Sequence, residues 1–456
     1  MTESTTIPPF SIRTITNLDA ARRALTRRRG FEEPELSERM KAGVKRVFGS
    51  DLTADQVVDT ILRDVRAEGD AAVARYTIAF DGAAPAQWEV PRSEWDEALA
   101  AISPELGDAL HVAAERIRRF HEKQTRTSWI DFAPDGALGQ IVRPLERVGI
   151  YTPGGTALYP STLLMTAIPA RVAGVSEIIV CSPPGRDGRV APVILAAAAV
   201  AGVDRVFQVG GAQAIGAMAF GTASIPHVDK IYGPGNIFVV LAKQRVYGVV
   251  AIDQLPGPTE TLIVADETAN ARITAADMIA QSEHDPMSSA ILVTTSESLA
   301  VEVRDELERQ SALLPRASII RQSLEAHGMI VIAPDRETAI DLANTYAPEH
   351  LCLLLNDPWS VVPLVRHAGG IFVGEHSPEA LGDYTAGPSH VMPTGGTARF
   401  SSPIHVQDFT KVISVAAVTK ETLASLAPAT MAIARAEGLD GHARAISIRL
   451  EDERLD

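Results

Sequence analysis

Cysteine is nearly absent from this chain of 456 residues: Cys181 and Cys352 are the only two. That excludes a disulfide framework and a thiolate zinc site, each of which needs more sulfur. Long apolar runs are missing as well. The longest, around 190–203, is Ala-rich and shorter than the ~18 residues of a membrane-crossing helix. The opening MTESTTIPPFSIRT has no apolar core of a signal peptide, so a cytoplasmic protein is expected. Positive charge is in deficit: 42 Lys and Arg against 57 Asp and Glu leave a net −15. Neither nucleic acid nor an anionic membrane surface is then expected as the main partner. The dinucleotide fingerprint G-x-G-x-x-G follows no candidate strand.

What is present is ordinary for a soluble globular protein: 46% hydrophobic and 22% charged residues. The length allows two or more domains at ~100–200 residues each. Residues 1–37 read as a polar arm with a short basic helix around 19–29. From 53 to about 123, apolar residues recur at spacings of three and four (Val57, Val58, Ile61, Leu62, Val65, then Leu106, Leu110, Ala113, Ile117), which predicts helices.

The middle of the chain alternates. Strands are expected at 147–151, 177–181, 205–209 and 230–232, with helices at 161–173, 190–201, 212–220 and from 236 on. Such spacing predicts βαβ units and a parallel sheet covered on both faces. Ligands of such sheets bind at the carboxyl ends of the strands. Those ends carry Pro153-Gly154-Gly155, Gly210-Gly211 and Gly233-Pro234-Gly235. Glycine there lets backbone amides approach a phosphate, or serves only chain reversal. The alternation resumes after Thr259, with strands at 261–265, 290–294, 329–332, 351–355 and 371–373. A second sheet is expected, followed by a mainly helical segment from 404 to 456.

The chain's chemistry centres on Tyr346-Ala347-Pro348-Glu349-His350-Leu351. Pro348 stops a helix just before an apolar strand. An acid and an imidazole are left side by side at the corner, and these are common general acid–base residues. Consecutive residues of an extended segment point to opposite sides, so both line one cavity only if it wraps around this corner. Gln281 and His284 lie three apart and share a helix face. Asp383 and His390 flank a turn-rich loop, and Glu437 and His442 flank Gly438-Leu439-Asp440-Gly441. Alone, each histidine is more often a structural or surface residue than a ligand. As ligands, a mixed nitrogen and oxygen set suits zinc or a harder divalent ion.

These stretches, with GIYTPGG at 149–155, GGAQAIGAMAFG at 210–221, GPGN at 233–236, GPTE at 257–260, QSEH at 281–284, GDYTAGPSHVMPT at 382–394 and GLDGH at 438–442, resemble the histidinol dehydrogenase family over about 12–450. The resemblance implies an α/β fold of two similar incomplete Rossmann-like domains with parallel sheets, plus small N- and C-terminal helical segments. The expected division is 1–37 as an arm, 38–150 with 259–403 as the first Rossmann-like domain, 151–258 as the second, and 404–456 as a C-terminal domain. It implies NAD-linked oxidation of L-histidinol to L-histidine, the last step of histidine biosynthesis, in an intertwined homodimer whose C-terminal segment completes the neighbour's site. One zinc per subunit would be held by Gln281, His284, Asp383 and His442 and would orient the substrate. Glu349 would activate water and His350 would be the general base. Thr259, Gln281, His284, His350, Asp383, His390, Glu437 and His442 would meet the substrate; Tyr151, Gln213 and Asn236 would meet NAD. Thr259 replaces the serine of many relatives and keeps the hydroxyl. A related dehydrogenase of another small alcohol, or an inactive binding homologue, are the alternative readings.

The chemistry agrees with the residues. Taking a primary alcohol to a carboxylate needs two hydride transfers and one water addition, hence a base and a water activator. Cys181 and Cys352 fall in or beside apolar strands, where inert packing is expected, so no thiolate nucleophile is called for.

Overall fold

Strands that are apolar at successive positions must be covered on both faces, and two parallel sheets form here on that basis. The computed structural model describes residues 10–26, 36–154, 158–185 and 187–451. Residues 1–9 and 27–35 of the arm, Gly155 of the Pro-Gly-Gly stretch and the charged tail after 451 lie outside the described residues. The strands in chain order are β1 (Arg13–Ile15), β2 (Trp129–Ala133), β3 (Gly136–Pro144), β4 (Arg147–Tyr151), β5 (Glu177–Ser182), β6 (Arg205–Gln208), β7 (Lys230–Tyr232), β8 (Ala251–Ile252), β9 (Glu260–Ala265), β10 (Ser289–Thr294), β11 (Met329–Ile332), β12 (His350–Leu354), β13 (Gly370–Val373) and β14 (Thr410–Val418).

One sheet has the order β6-β5-β4-β7-β8 and the other β1-β11-β10-β9-β12-β13. Every pairing in both is parallel. Without β1, the second order repeats the first. In each sheet the chain lays three strands outward, then returns to the other side of the first. This places a topological switch between β4 and β7, and another between β9 and β12. The α/β class with two similar parallel sheets is as expected.

Helices Ala54–Glu68 and Pro104–Glu122 pack on the helices that cover the β4–β8 sheet, the first on Gly211–Phe220 and Ile237–Val246, the second on Pro160–Ala173 and Pro192–Ala201. Their apolar stripes extend the cores on the two faces of that sheet. Val57, Ile61 and Val65 join Ile179, Cys181 and Phe207 on one face, while Ile117 joins Ile150, Val180 and Val206 on the other. Residues 10–26 of the arm dock on the other sheet. Arg13–Ile15 pairs with Met329–Val331 as an edge strand, and helix Leu18–Leu25 packs on helix Arg336–Tyr346 with Ala21 and Leu25 buried.

The segment after 404 is not mainly helical at first. β14 runs antiparallel to β3 along its whole length, and β3 pairs with β2, giving a third sheet. Helices Lys420–Ala436 and Asp440–Glu451 then pack on each other. This region keeps large apolar side chains in the open: Trp129, Phe132, Leu138, Ile413, Ile433 and Ile448 are all exposed. Among the described residues, no helix is long and apolar enough to cross a membrane.

Candidate active site

A cleft of ≈ 440 Å³ lies between the two parallel sheets. Pro153, Pro234 and Gly235 line it from the carboxyl ends of β4 and β7. Thr259, Glu349 and His350 line it from the amino ends of β9 and β12, together with His284, Asp383 and His390. The rule that ligands meet carboxyl ends therefore holds for one sheet and not for the other. Helix Ala271–Ser282 explains the exception, because it runs back from β9 and delivers Gln281 and His284 to the amino edge.

The corner before β12 is built under strain. Helix Arg336–Tyr346 ends at Ala347, which is fully buried and adopts φ 56°, the only positive φ outside glycine among the described residues. A left-handed alanine costs about 1–2 kcal/mol. In return the chain turns at once, Pro348 follows, and Glu349 precedes the strand instead of lying within it. Gly369 N–H donates to Pro348 O at 2.9 Å and Gly370 N–H to Glu349 O at 2.9 Å. A Cβ on Gly369 would stand 2.5 Å from Glu349 O, so only glycine permits this approach. Consecutive residues thus face one cleft, as the wrap-around condition requires.

The local bonds assign states to both side chains. Glu349 Oε2 accepts the Thr259 hydroxyl at 2.6 Å and Glu260 N–H at 3.0 Å. His350 Nδ1 lies 3.1 Å from Glu260 O, so Nδ1 carries the hydrogen and Nε2 keeps its lone pair in the neutral ring. Nε2 is buried without a hydrogen-bond partner among the described residues, 3.7 Å from Asp383 Oδ1. Burial pushes the Glu349 carboxyl up to about 7, although His350 and the Thr259 hydroxyl pull it down. Burial lowers His350, but the carboxylates of Glu349, Asp383 and Glu379 outweigh it and raise the ring. Burial raises Asp383, yet the adjoining His350 holds it below the ordinary carboxylate range. Burial keeps His284 below the ordinary histidine value, hence neutral.

Gln281 is 2% exposed beneath the cleft. Its amide oxygen accepts from Glu260 N–H at 2.5 Å and lies 2.6 Å from Thr259 Oγ1, whose single hydrogen is shared between this oxygen and Glu349 Oε2, and its Nε2 donates to Glu379 Oε1 at 3.2 Å. The opposite orientation would set nitrogen against an N–H and oxygen against a carboxylate. His390 lines the cleft with both ring nitrogens engaged: Nδ1 donates to Asp383 O at 2.7 Å, and Nε2 accepts from Thr162 Oγ1 at 3.0 Å.

Not every expected residue arrives. Glu437 and His442 stand exposed on the C-terminal helices and do not line this cleft. Tyr151, Gln213 and Asn236 run along the carboxyl edge of the β4–β8 sheet. Tyr151 Oη accepts Gly211 N–H at 3.1 Å, and Asn236 Oδ1 caps the next helix at Phe238 and Val239 N–H. Gln213 is buried, with Oε1 unpartnered among the described residues. That bare acceptor beside the switch between β4 and β7 fits a bound dinucleotide. The glycines nearby answer first to packing: a Cβ on Gly210 would meet Pro183 at 2.5 Å.

Two features escaped the sequence reading. Lys243, fully buried, donates to Gly233 O at 2.8 Å and pairs with Asp253, which takes Gly233 N–H at 2.8 Å and lines the cleft. The Gly233 turn is bolted by this pair. Glu379 is the other, a carboxylate 2% exposed and four residues before Asp383; that i, i+4 spacing was its one visible signal.

Among the described residues, no group of three or more His, Cys, Asp or Glu is arranged to hold a metal ion. Within one chain, the cleft is lined by His284 and Asp383, while Gln281 lies buried and outside the lining. A neutral imidazole and a carboxylate are donor types that suit zinc.

The histidinol dehydrogenase family model matches residues 45–450. A histidinol dehydrogenase of Deinococcus radiodurans is 54% identical over 433 residues, covering 94% of this chain and 98% of that one. One of Thermus thermophilus is 52% identical over 405 residues, covering 89% and 97%. The crystal structure of histidinol dehydrogenase from Elizabethkingia anophelis superposes with a TM-score of 0.88 at 35% identity, covering 98% of this chain and 99% of that one. The chain belongs to the histidinol dehydrogenase family.

Proposed function

We propose that the protein oxidises L-histidinol to L-histidine through L-histidinal with two NAD, completing histidine biosynthesis in the cytoplasm. One observation carries the reading. Glu349 and His350 face the same cleft, with His350 Nδ1 tied to Glu260 O and Nε2 free. His350 Nε2 takes the hydroxyl proton as the alcohol carbon loses hydride, in both the first oxidation and the oxidation of the hydrated aldehyde. Glu349 takes the proton of the water that hydrates histidinal. Its value near 7 lets it accept that proton and release it again. Thr259 steers the carboxylate through its 2.6 Å hydrogen bond. Cys181 and Cys352 are fully buried with their thiols pushed up, which supports a route without a thiolate.

Gln281, His284, Asp383 and His442 would hold one zinc ion, which when bound orients the substrate through its amino and imidazole nitrogens. A cation held at Asp383 would offset part of the negative charge that raises His350. NAD, accepting hydride, would lie against Tyr151, Gln213 and Asn236. His390, Glu437 and the metal ligands would meet the substrate. His442 and Glu437 are proposed to come from a second copy of the chain in an intertwined homodimer. Their absence from the lining of this chain's own cleft supports that, as do the exposed apolar residues of β2, β3 and β14. No nucleic acid or membrane takes part. The test is NADH formation from L-histidinol and NAD, with and without a chelator. Activity lost on chelation and restored by zinc is expected; no NADH from the zinc-loaded protein would overturn the proposal.

A further inference from the structure

A fully buried lysine is rare, because its ammonium gives up water and must find partners inside the protein. Lys243 is 0% exposed on helix Ile237–Val246, and no step proposed above touches it. Its Nζ donates to Gly233 O at 2.8 Å and pairs with the Asp253 carboxylate. Asp253 in turn accepts Gly233 N–H at 2.8 Å and Gln254 N–H at 2.6 Å. Side chains on a helix lean toward its N-terminus, so a long side chain at 243 reaches back to the turn that opens the helix at Asn236.

The two bonds at Gly233 hold different peptides. Asp253 fixes the one that enters Gly233, through its N–H. The one that leaves runs to Pro234 and has no N–H, so its carbonyl is its only polar handle. Among the described residues, Lys243 is the one group bonded to that carbonyl. The backbone alone does not fix it: Gly233 has φ 108°, and glycine is the residue with most freedom about both dihedrals. No larger residue fits there, since a Cβ would collide with Tyr151 O. With its carbonyl drawn inward, Gly233 is absent from the cleft lining, whereas Pro234 and Gly235 line it and Asn236 caps the helix. Without the amine, the carbonyl would be a buried acceptor with no partner. Turning it out to water would relieve that cost, and would move Pro234 and Gly235 with it.

We infer that Lys243 is a positioning residue for the cofactor: it holds the Gly233–Pro234 peptide inward, so that Pro234, Gly235 and Asn236 form a fixed wall for NAD. This rests on the reading that NAD lies along this sheet edge, against Tyr151, Gln213 and Asn236.

The test is the NAD dissociation constant of the full-length holoenzyme, measured by titration calorimetry. Lys243→Met keeps the length of the side chain and removes the donor, but it also leaves the Asp253 carboxylate buried without its cation. Asp253→Asn removes that charge, and the amine of Lys243, charged or neutral, still donates to Gly233 O. The tether is therefore isolated by comparing Lys243→Met combined with Asp253→Asn against Asp253→Asn alone. Losing the partner of a buried acceptor lowers the fraction of turns in the competent form by about tenfold, and affinity falls with that fraction. The double variant should thus bind NAD about tenfold more weakly than Asp253→Asn, and Lys243→Met alone should lose at least as much against the unaltered chain. KM for L-histidinol at saturating NAD should be the same in the compared pair, because its contacts lie on the other sheet. NAD binding within twofold in the pair would overturn the inference, since Lys243 would then serve only to neutralise Asp253. A rise in the histidinol KM equal to the loss of NAD affinity would overturn it too, because the whole cleft would have loosened. Gln213→Met separates the inference from the reading beneath it: if that variant binds NAD as tightly as the unaltered chain, NAD lies elsewhere and the inference falls with its site.

Discussion

Replacing Thr259 by valine removes one hydroxyl and leaves the side-chain shape nearly unchanged. That hydroxyl donates to Glu349 Oε2 at 2.6 Å, and the only other donor to this oxygen among the described bonds is Glu260 N–H at 3.0 Å. A hydrogen bond to a charged acceptor is worth about 1.5–3 kcal/mol. At 1.36 kcal/mol per pH unit, losing it raises the Glu349 midpoint by about one to two pH units. Burial has already pushed that carboxyl up to about 7. The base form exists only above the midpoint, so Thr259→Val should move the acid limb of histidinal oxidation to higher pH by the same amount. At pH 7 the base fraction then falls from about one half to between about one tenth and one hundredth, so the histidinal step should slow by about 5- to 50-fold. The assay is kcat/KM for histidinal oxidation against pH at saturating zinc, because Thr259 also touches Gln281. Thr259→Ser, which keeps the hydroxyl, should restore the original limb. An unmoved limb in Thr259→Val would refute the claim that this bond sets the state of Glu349.

Glu349→Gln should slow histidinal oxidation more than histidinol oxidation, and His350→Asn should slow both, each by about 10²–10⁴-fold; equal losses in both steps for Glu349→Gln would contradict the division of labour. Mixing inactive His350→Asn and inactive His442→Asn chains, with exchange of subunits shown separately, should recover activity, because one site of each mixed dimer carries neither defect; a mixture that stays dead would contradict a site shared between chains. Asp277, 8% exposed, is pushed up to about 6 by burial and then by Glu375. Its charged form is therefore penalised above that pH and unpenalised below the unfolded value, so Asp277→Asn should stabilise the fold by about 2–3 kcal/mol at pH 8 in chemical denaturation. That gain should shrink as pH falls toward 4; a gain independent of pH would show that burial of the charge is not its cause.

The pairing of Glu349 with His350 was legible because proline ends a helix by covalent geometry, whatever surrounds it. What the pattern did not show is how both side chains reach one cavity. That depends on Ala347 accepting φ 56° and on the bare Cα of Gly369, neither of which periodicity records. The helices around Val57–Val65 and Ile117 were legible for the same reason that their sheet was not. An apolar stripe shows that a helix is covered, not what covers it. The β2–β3 hairpin had a turn signal in Pro134-Asp135-Gly136, but its strands are largely exposed and alternate weakly. The amino-edge location of the reactive residues ran against the general rule for parallel sheets. It follows from the return path of helix Ala271–Ser282, a feature of three dimensions. Glu379 showed only its spacing from Asp383, because a buried carboxylate reads in sequence like an exposed one.

The central claim is a four-electron oxidation that passes through hydration at Glu349. It is tested most directly by the yield of NADH per L-histidinol, followed to completion with limiting substrate and the product identified. The account predicts two NADH per L-histidinol and L-histidine as the product. One NADH per molecule with histidinal accumulating, or no NADH at all, would contradict it.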